Sequence, residues 1–556
     1  FSQGVRNFND GISLLNIADS TLSELSDIVI RIQELAEQAG NGTLSNTQRS
    51  SLDQEAQALR DEYLRIAQNT SFNDLGVFDG SIQGLRLQGG YGVDGSIYSS
   101  LGGNLATGEF GTGFGTGVTM EFIESGDFNN DGILDYAFSG SGSYGYALGN
   151  GDGTFGSVRS FSDGGTEQGF TVADFNNDGQ LDILRSTASE SKILLGNGDG
   201  TFQSEATLSF SLTFSGAKDV NGDGIVDLFG YDSGATKVYL GAGDGSFSLS
   251  FSAYNPTTGS SRVRTEDVDG DGIEDLVDLS VNGSSDVILT VRKGNGDGTF
   301  QSGATFDTSL NDTAFAFDIS DVDGDGRLDI LVGAGDEISI LTNDGSGTFN
   351  STNSFQVTGG PYSIYDLEAA DVNGDGLQDI VFAGQSGVTA TAVTLLGDGT
   401  GTFSVGASVT GGTVGENSFE IGDFNGDGVS DIFLPSSFSE AELFLGESQD
   451  GLNPLQEFSL KTQVEALQAL APLDRSLSRL SEQRGIIGAF QSRLASASNV
   501  LQSSTENSAA AESRIRDADI AQETSSLTRL NILQQAAAAV LTQANVQPAL
   551  ALQLLS

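Results

Sequence analysis

Apolar positions near the start of the chain recur with a helical step. Leu15, Ala18, Leu22, Leu25, Val29, Ile32 and Ala36 are separated alternately by three and four residues. That period of about 3.5 predicts a helix packed lengthwise against another helix. Over residues 6–38 it would be about 50 Å long at a rise of about 1.5 Å per residue. Gly40 and Gly42 end it, and a second helix is expected from about Asn46 to Ala67. The pattern returns at the far end of the chain with Leu473, Leu477, Leu480, Ile487, Phe490, Leu494, Ala497 and Leu501. Gly485 and Gly488 fall inside that segment, each a local weakness of about 1 kcal/mol relative to Ala.

Between these arms the apolar runs are short and separated by acidic, glycine-rich turns. The pattern D-x-[DN]-x-D-G-x-x-D occurs seven times, at 127–135, 174–182, 219–227, 267–275, 321–329, 371–379 and 423–431. The spacings are 47, 45, 48, 54, 50 and 52 residues, a period that signals a propeller, solenoid or array. In the second repeat strands are expected at 170–173, 181–184 and 192–195, with a fourth opening at Thr201 and Phe202. Four short strands per repeat make a propeller blade, and seven blades can close into a ring. The last repeat reaches its third strand at 443–445 and then lacks the Gly-Asp-Gly turn of the others. Residues from about 105 to 117 are therefore expected to supply its missing outer strand.

Charge follows the same division. The chain carries 76 acidic and 24 basic residues, net −52, and residues 81–450 hold 55 and 11 of these, or −44. This excludes a nucleic-acid partner bound through a basic face. With no Cys and no His, disulfides, thiol nucleophiles, zinc sites, Ser-His-Asp triads and histidine acid–base chemistry are excluded as well. Residues Leu530 to Ser556 are uncharged, but Asn531, Gln534, Gln535, Gln543, Asn545, Gln547 and Pro548 interrupt any membrane span. No membrane partner is expected; such an end needs a protein partner to cover it.

The acidic loops have the ligand chemistry of a calcium site. Oxygen side chains at positions 1, 3, 5 and 9 and a backbone carbonyl at position 7 can converge, with Gly at position 6 allowing the sharp turn. The first loop offers Asp127, Asn129, Asp131 and Asp135 with the carbonyl of Ile133. The second offers Asp174, Asn176, Asp178, Asp182 and the Gln180 carbonyl, the third Asp219, Asn221, Asp223, Asp227 and that of Ile225. The fourth has Asp267, Asp269, Asp271, Asp275 and the Ile273 carbonyl, the fifth Asp321, Asp323, Asp325, Asp329 and that of Arg327. The sixth has Asp371, Asn373, Asp375, Asp379 and the Leu377 carbonyl, the seventh Asp423, Asn425, Asp427, Asp431 and that of Val429. Hard oxygen donors, three or four of them carboxylates, favour Ca²⁺ over Mg²⁺, so up to seven calcium ions are expected. Almost every Asp cluster is thereby assigned, leaving no catalytic constellation and no enzyme.

Two segments carry a family resemblance. NDGISLLNIADSTLSELSDIVIRIQELAEQAGNGTLSNTQRSSLDQEAQALRDEYLRIAQNTSFN, residues 9–73, resembles the N-terminal conserved region of bacterial flagellin. SRIRDADIAQETSSLTRLNILQQAAAAVLTQAN, residues 513–545, resembles its C-terminal signature, and QPALALQLLS its usual end. The resemblance implies an extracellular filament subunit that forms a homopolymer through its terminal helices. It also implies export by the flagellar machinery, with its chaperone, without a cleaved signal peptide. Flagellins normally carry a further helical segment before the position of Phe1, the usual partner of the helix from about Ser513 to Ala544. Arg31, Leu35 and Glu62 match the family's contact surface for a host toll-like receptor, with Gln33 replacing a usual basic residue; packing against neighbouring subunits is the simpler use of that face. The repeats, for their part, resemble FG-GAP or VCBS-type propellers, whose loops bind calcium on one face.

The expected fold is thus a multidomain α + β chain, a long helical coiled-coil stalk from both termini with an inserted seven-bladed all-β propeller. Residues 1–80 form the N-terminal flagellin-like helical region, 81–104 a β-hairpin or linker and 105–450 the propeller. Residues 451–512 form the C-terminal helical stalk and 513–556 the filament-core helix. The expected function is a structural filament subunit displaying a calcium-stabilised propeller. The alternative is that the propeller is an adhesin or lectin-like module holding a surface glycan or protein ligand.

Overall fold

The computed structural model describes residues 2–554 except 90–95, 102, 141, 163–166, 188, 233, 255–260, 283, 312–314, 358–361, 387–388, 412–418 and 437–438. Three helices are present among the described residues: α1 (Ser2–Ala39), α2 (Asn46–Asn69) and α3 (Gln463–Leu554). The chain divides into two compact units, one of Phe1–Ile17, Leu85–Ser99 and Gly488–Ser556, the other of Ala18–Gly84 and Ser100–Ile487.

In the first unit the start of α1 meets a two-stranded hairpin, Leu85–Gln88 paired with Ser96–Ser99. Asn7 donates through Nδ2 to the Gln88 carbonyl at 2.7 Å, and Gly11 lies so close to the Leu87 side chain that a Cβ there would collide with it. Phe8, Leu14 and Leu15 are buried, as are Phe490 and Leu494 of α3. Farther along α3 that cover ends. Every residue from Glu506 to Pro548 is exposed.

In the second unit Ala18, Leu22, Leu25, Val29, Ile32 and Ala36 of α1 are completely buried, so the 3.5-residue seam is a packing face as its spacing requires. Ser45 and Gln48 form a capping box at the start of α2. At α3, Thr462 and Glu465 do the same, with N–H donation in both directions at 3.0 and 3.2 Å. Each box satisfies backbone donors that helix geometry leaves without a partner. Buried Asp53 of α2 accepts the Leu460 N–H at 2.8 Å, tying the segment before α3 to α2. The helical stretch after residue 451 begins only at Gln463 and then runs unbroken through Gly485 and Gly488 to Leu554. No neighbouring atom lies within 4 Å of a Cβ placed on either glycine, so neither is a packing notch, and their cost is carried by helix on both sides.

Among the described residues the same unit contains seven antiparallel four-stranded sheets, the blades. The second blade has strands Glu167–Ala173, Asp182–Thr187, Ser191–Leu194 and Ala206–Thr207. Its fourth strand starts later than the expected Thr201, because Phe202 instead bridges Gly196 across the tight turn. In the seventh blade, Glu420–Gly422, Asp431–Leu434 and Glu442–Phe444 are completed by Phe114–Gly115 from before the first blade. The missing strand thus comes from the expected region. Leu105–Phe110, within the same stretch, pairs instead with Gly446–Gln449.

The cores lie between blades. Tyr136 and Phe138 of the first blade pack with Phe433 and Leu443 of the seventh, while Val381 of the sixth packs with Ile432 and Phe444 of the seventh. Val277 and Leu289 of the fourth blade meet Ile330 and Val332 of the fifth. Burying apolar side chains on both faces of each sheet is what makes a ring of twisted sheets stable without exposed sheet faces.

Candidate metal centres

Each acidic loop joins the first strand of a blade to the second, so the position-9 Asp opens the second strand. These seven residues, Asp135, Asp182, Asp227, Asp275, Asp329, Asp379 and Asp431, are at most 1% exposed. Their Oδ1 atoms accept the N–H groups of Gly149, Gly196, Gly241, Gly294, Asn343, Gly397 and Gly446 at 2.7–3.0 Å. The ninth residue therefore clips the loop to the turn after the third strand, a structural task that its place in the motif does not disclose.

The other positions form one repeated scaffold. At position 1, Asp127, Asp174, Asp219, Asp267, Asp321, Asp371 and Asp423 each accept the N–H of the position-6 glycine at 2.7–2.9 Å. Those glycines have positive φ, +82° at Gly132 for example, which turns their N–H groups inward at little steric cost. Position 4 is left-handed as well: Asn130 and Asn177 adopt φ of +58° and +56° where later loops carry glycine, the best non-glycine choice there. At position 5, Asp131, Asp178, Asp223, Asp271, Asp325, Asp375 and Asp427 accept the N–H of Ile133, Gln180, Ile225, Ile273, Arg327, Leu377 and Val429 at 2.8–3.0 Å. The N–H of each position-5 Asp bonds back to position 3, Asn129, Asn176, Asn221, Asp269, Asp323, Asn373 and Asn425, at 2.8–3.2 Å. Oxygens from positions 1, 3 and 5 are thus held together by backbone donors.

Crowding carboxylates away from water disfavours their charged form. Burial pushes Asp135, Asp182, Asp227 and Asp379 up to about 7 and Asp431 to about 8. It raises Asp275, Asp329 and Asp371 to about 6. A divalent cation would reverse that penalty. Carboxyl oxygens of Asp267, Asp269 and Asp275 lie within 4.8 Å of one another, as do those of Asp321, Asp323 and Asp325. The donor set, all hard oxygens and partly open, fits calcium.

Basic side chains reach several loops from elsewhere in the chain. Arg479 of α3 lies with Nη2 at 3.3 Å from Asp423 Oδ2, and Lys293 Nζ sits 2.8 Å from Asp269 Oδ2. Arg327 pairs with Asp325 of its own loop. Asn46 of α2 donates to Asp219 Oδ2 at 2.5 Å, and Gln68 donates to the Asp375 carbonyl. The motif spacing carries no sign of the contacts made from α2, α3 and Lys293, which depend on distant segments.

One further set does have a sequence signal. Three residues before each loop stand Glu124, Thr171, Gly216, Arg264, Asp318, Glu368 and Glu420. These positions on the inner strands line two cavities of about 820 and 350 Å³. Burial pushes Glu124 up to about 8 and raises Glu368 and Glu420 well above the carboxylate range. Glu420 accepts a hydrogen bond from Ser125 at 3.0 Å, and Arg264 lies 3.5 Å from Asp318.

Residues 1–83 match the bacterial flagellin N-terminal helical region, and residues 470–555 match its C-terminal helical region. Both arms are thus similar to the terminal regions of bacterial flagellin. FG-GAP-like repeats match at 127–185, 219–277, 267–332, 321–382 and 371–434, which together span all seven loops. A flagellin of Bacillus subtilis (strain 168) is 32% identical over 224 residues, 40% of this chain and 62% of that protein. A flagellin of Halalkalibacterium halodurans is 49% identical over 92 residues, 16% of this chain and 34% of that one. The chain thus spans less than two thirds of the length of these relatives. A solved Agrocybe aegerita lectin, described as recognising non-reducing terminal N-acetylglucosamine, is 20% identical over 60% of this chain and 86% of its own. Its TM-score of 0.41 is too low for the likeness to bear on function. No helix among the described residues is long and apolar enough to cross a membrane.

Proposed function

We propose that the protein is a structural, non-catalytic subunit of the bacterial flagellar filament, polymerising with further flagellin subunits through its terminal helices and displaying the propeller on the filament surface. The observation that carries this reading is the far half of α3. Ile515, Ile520, Leu527, Leu530, Ile532, Leu533, Val540 and Leu541 are 55–71% exposed, on a stretch uncharged from Leu530 onward. Such a surface is costly in water and calls for cover by protein. The match of both arms to flagellin supports other subunits as that cover. Export by the flagellar machinery with its chaperone, without a cleaved signal peptide, belongs to the same reading.

The seven loops are proposed to hold Ca²⁺ through positions 1, 3, 5 and 9 and the position-7 carbonyl. The ion would supply positive charge where buried carboxylates now lack it, stiffening the blade edges. Electron microscopy of isolated flagellar filaments containing this chain tests the whole: an outer globular layer is expected, and a smooth filament overturns the display model.

A further inference from the structure

The seven loops are alike in sequence but not in how their oxygens are occupied. Where position 3 is Asn, its Nδ2 donates to the position-5 Asp, as from Asn129, Asn176, Asn221, Asn373 and Asn425 at 2.9–3.2 Å. In the same five loops the position-2 N–H occupies Oδ2 of the position-9 Asp at 2.8–3.1 Å. Both oxygens of that Asp are then taken by backbone donors.

The fourth and fifth loops differ on each count. Asp269 and Asp323 replace the Asn and have no amide to donate. Asp275 Oδ2 and Asp329 Oδ2 are buried, in residues each 1% exposed, and no donor reaches either in good hydrogen-bond geometry, the Val268 N–H acting on the Asp275 carboxylate only as the least of its influences. The Asp275 carboxylate lies within 4.8 Å of those of Asp267 and Asp269. A buried carboxylate oxygen without a donor is costly unless a cation meets it. Surroundings differ as well. A Cβ on Gly270, Gly272 or Gly326 would meet nothing within 4 Å, whereas Gly132 and Gly428 lie against Ala471 and Arg479 of α3.

Charge alone does not separate the loops, since Lys293 pairs with the extra carboxylate Asp269 and Arg327 pairs with Asp325 of the fifth loop. These two cations are 40 and 45% exposed on their side chains and can swing away. The seventh loop also leaves a buried oxygen open, Asp423 Oδ1. There, however, the Arg479 guanidinium already lies against the same carboxylate, and Asn425 still occupies Asp427.

We propose that the seven loops form two classes, in which 267–275 and 321–329 are the tight calcium sites and the five Asn-containing loops are weaker. The division rests on the calcium reading above and adds to it which loops fill first. Extra anionic ligands and free, preorganised oxygens both favour calcium.

Calorimetric titration of the EDTA-stripped full chain with CaCl₂ tests the division. Two equivalents are expected to bind in a first phase, about tenfold or more tighter than the rest by this ligand difference. Asp269→Asn combined with Asp323→Asn should remove that phase and leave the weaker one. Asn176→Asp, an isosteric change in the opposite direction, should add to the tight phase, and it keeps the test alive if the double variant does not fold. A tight phase that survives the double substitution, or one uniform class of sites, overturns the division while leaving calcium binding intact. No calcium uptake at all overturns the calcium reading itself.

Discussion

The Tyr136 ring stands edge-on to that of Phe433, with centroids 5.1 Å apart and planes inclined at 73°. The first residue belongs to the first blade and the second to the last, so this contact lies across the seam where the ring closes. Phe155 and Phe424 complete the aromatic group, Phe155 lying 4.6 Å from Tyr136 and 5.7 Å from Phe433. Closure therefore rests on interlocking rings as well as on the strand contributed by Phe114 and Gly115.

Phe433→Ala should remove that interlock and open a cavity where no side chain can refill it. A cost of about 3–5 kcal/mol is expected for a fully buried Phe. Calorimetry should show the propeller transition moving down in temperature; a shift no larger than that of a surface Phe161→Ala variant would mean the seam is held elsewhere.

Calcium removal should act on the propeller and spare the helices. Each site that is filled only in the folded state contributes about 2.7 kcal/mol when free calcium exceeds the dissociation constant by about a hundredfold. EDTA should lower the near-ultraviolet melting transition, to which the blade tyrosines contribute most. The 222 nm helical signal should keep its midpoint. Coincident, unshifted transitions with calcium and with EDTA would remove calcium from the account.

The inner-strand carboxylates set a pH dependence whose sign is the reverse of an ordinary salt bridge. Glu124 titrates at about 8 in the folded protein against an ordinary 4.5, so between those values the folded state binds the extra proton. Its contribution to stability is full below about 4.5 and is lost as pH rises through about 8. The buried loop carboxylates act in the same direction when calcium is absent. In EDTA the protein should melt higher at about pH 5.5 than at about pH 8.5 by this linkage. Replacing Glu124, Glu368 and Glu420 together by Gln should shrink that difference; an unchanged difference would assign it to the loops alone.

Asp53 offers a separate handle on the helical arms. Its carboxylate accepts the Leu460 N–H at 2.8 Å, and Gln57 beside it donates to the Phe458 carbonyl at 2.7 Å. Asp53→Ala leaves a buried N–H without an acceptor, at a cost of about 1–3 kcal/mol. Hydrogen exchange should show faster opening of residues 458–462 with the blades unaffected, and protection unchanged by Asp53→Ala would refute the clasp.

Much of this architecture is local periodicity, and periodicity is visible in sequence. The 3.5-residue seam of α1 and the repeat of 45–54 residues determine the element types, the number of blades and the composition of every loop, because each depends only on near neighbours. The need for a strand from about 105–117 was legible too, since the seventh repeat was visibly short of one. Its narrowing to Phe114–Gly115 was decided by the ring, in which only a segment entering beside the third strand can pair with it. Likewise the motif placed seven aspartates at position 9 but could not reveal that Asp275 and Asp329 keep an oxygen free while Asp135 does not. The pairing of Asp423 with Arg479 needs α3 brought back against the last blade. Hydrogen bonds and ion pairs fall off steeply with distance, so the tertiary fold alone decides which otherwise equivalent loops are met by a cation from the chain and which are left open.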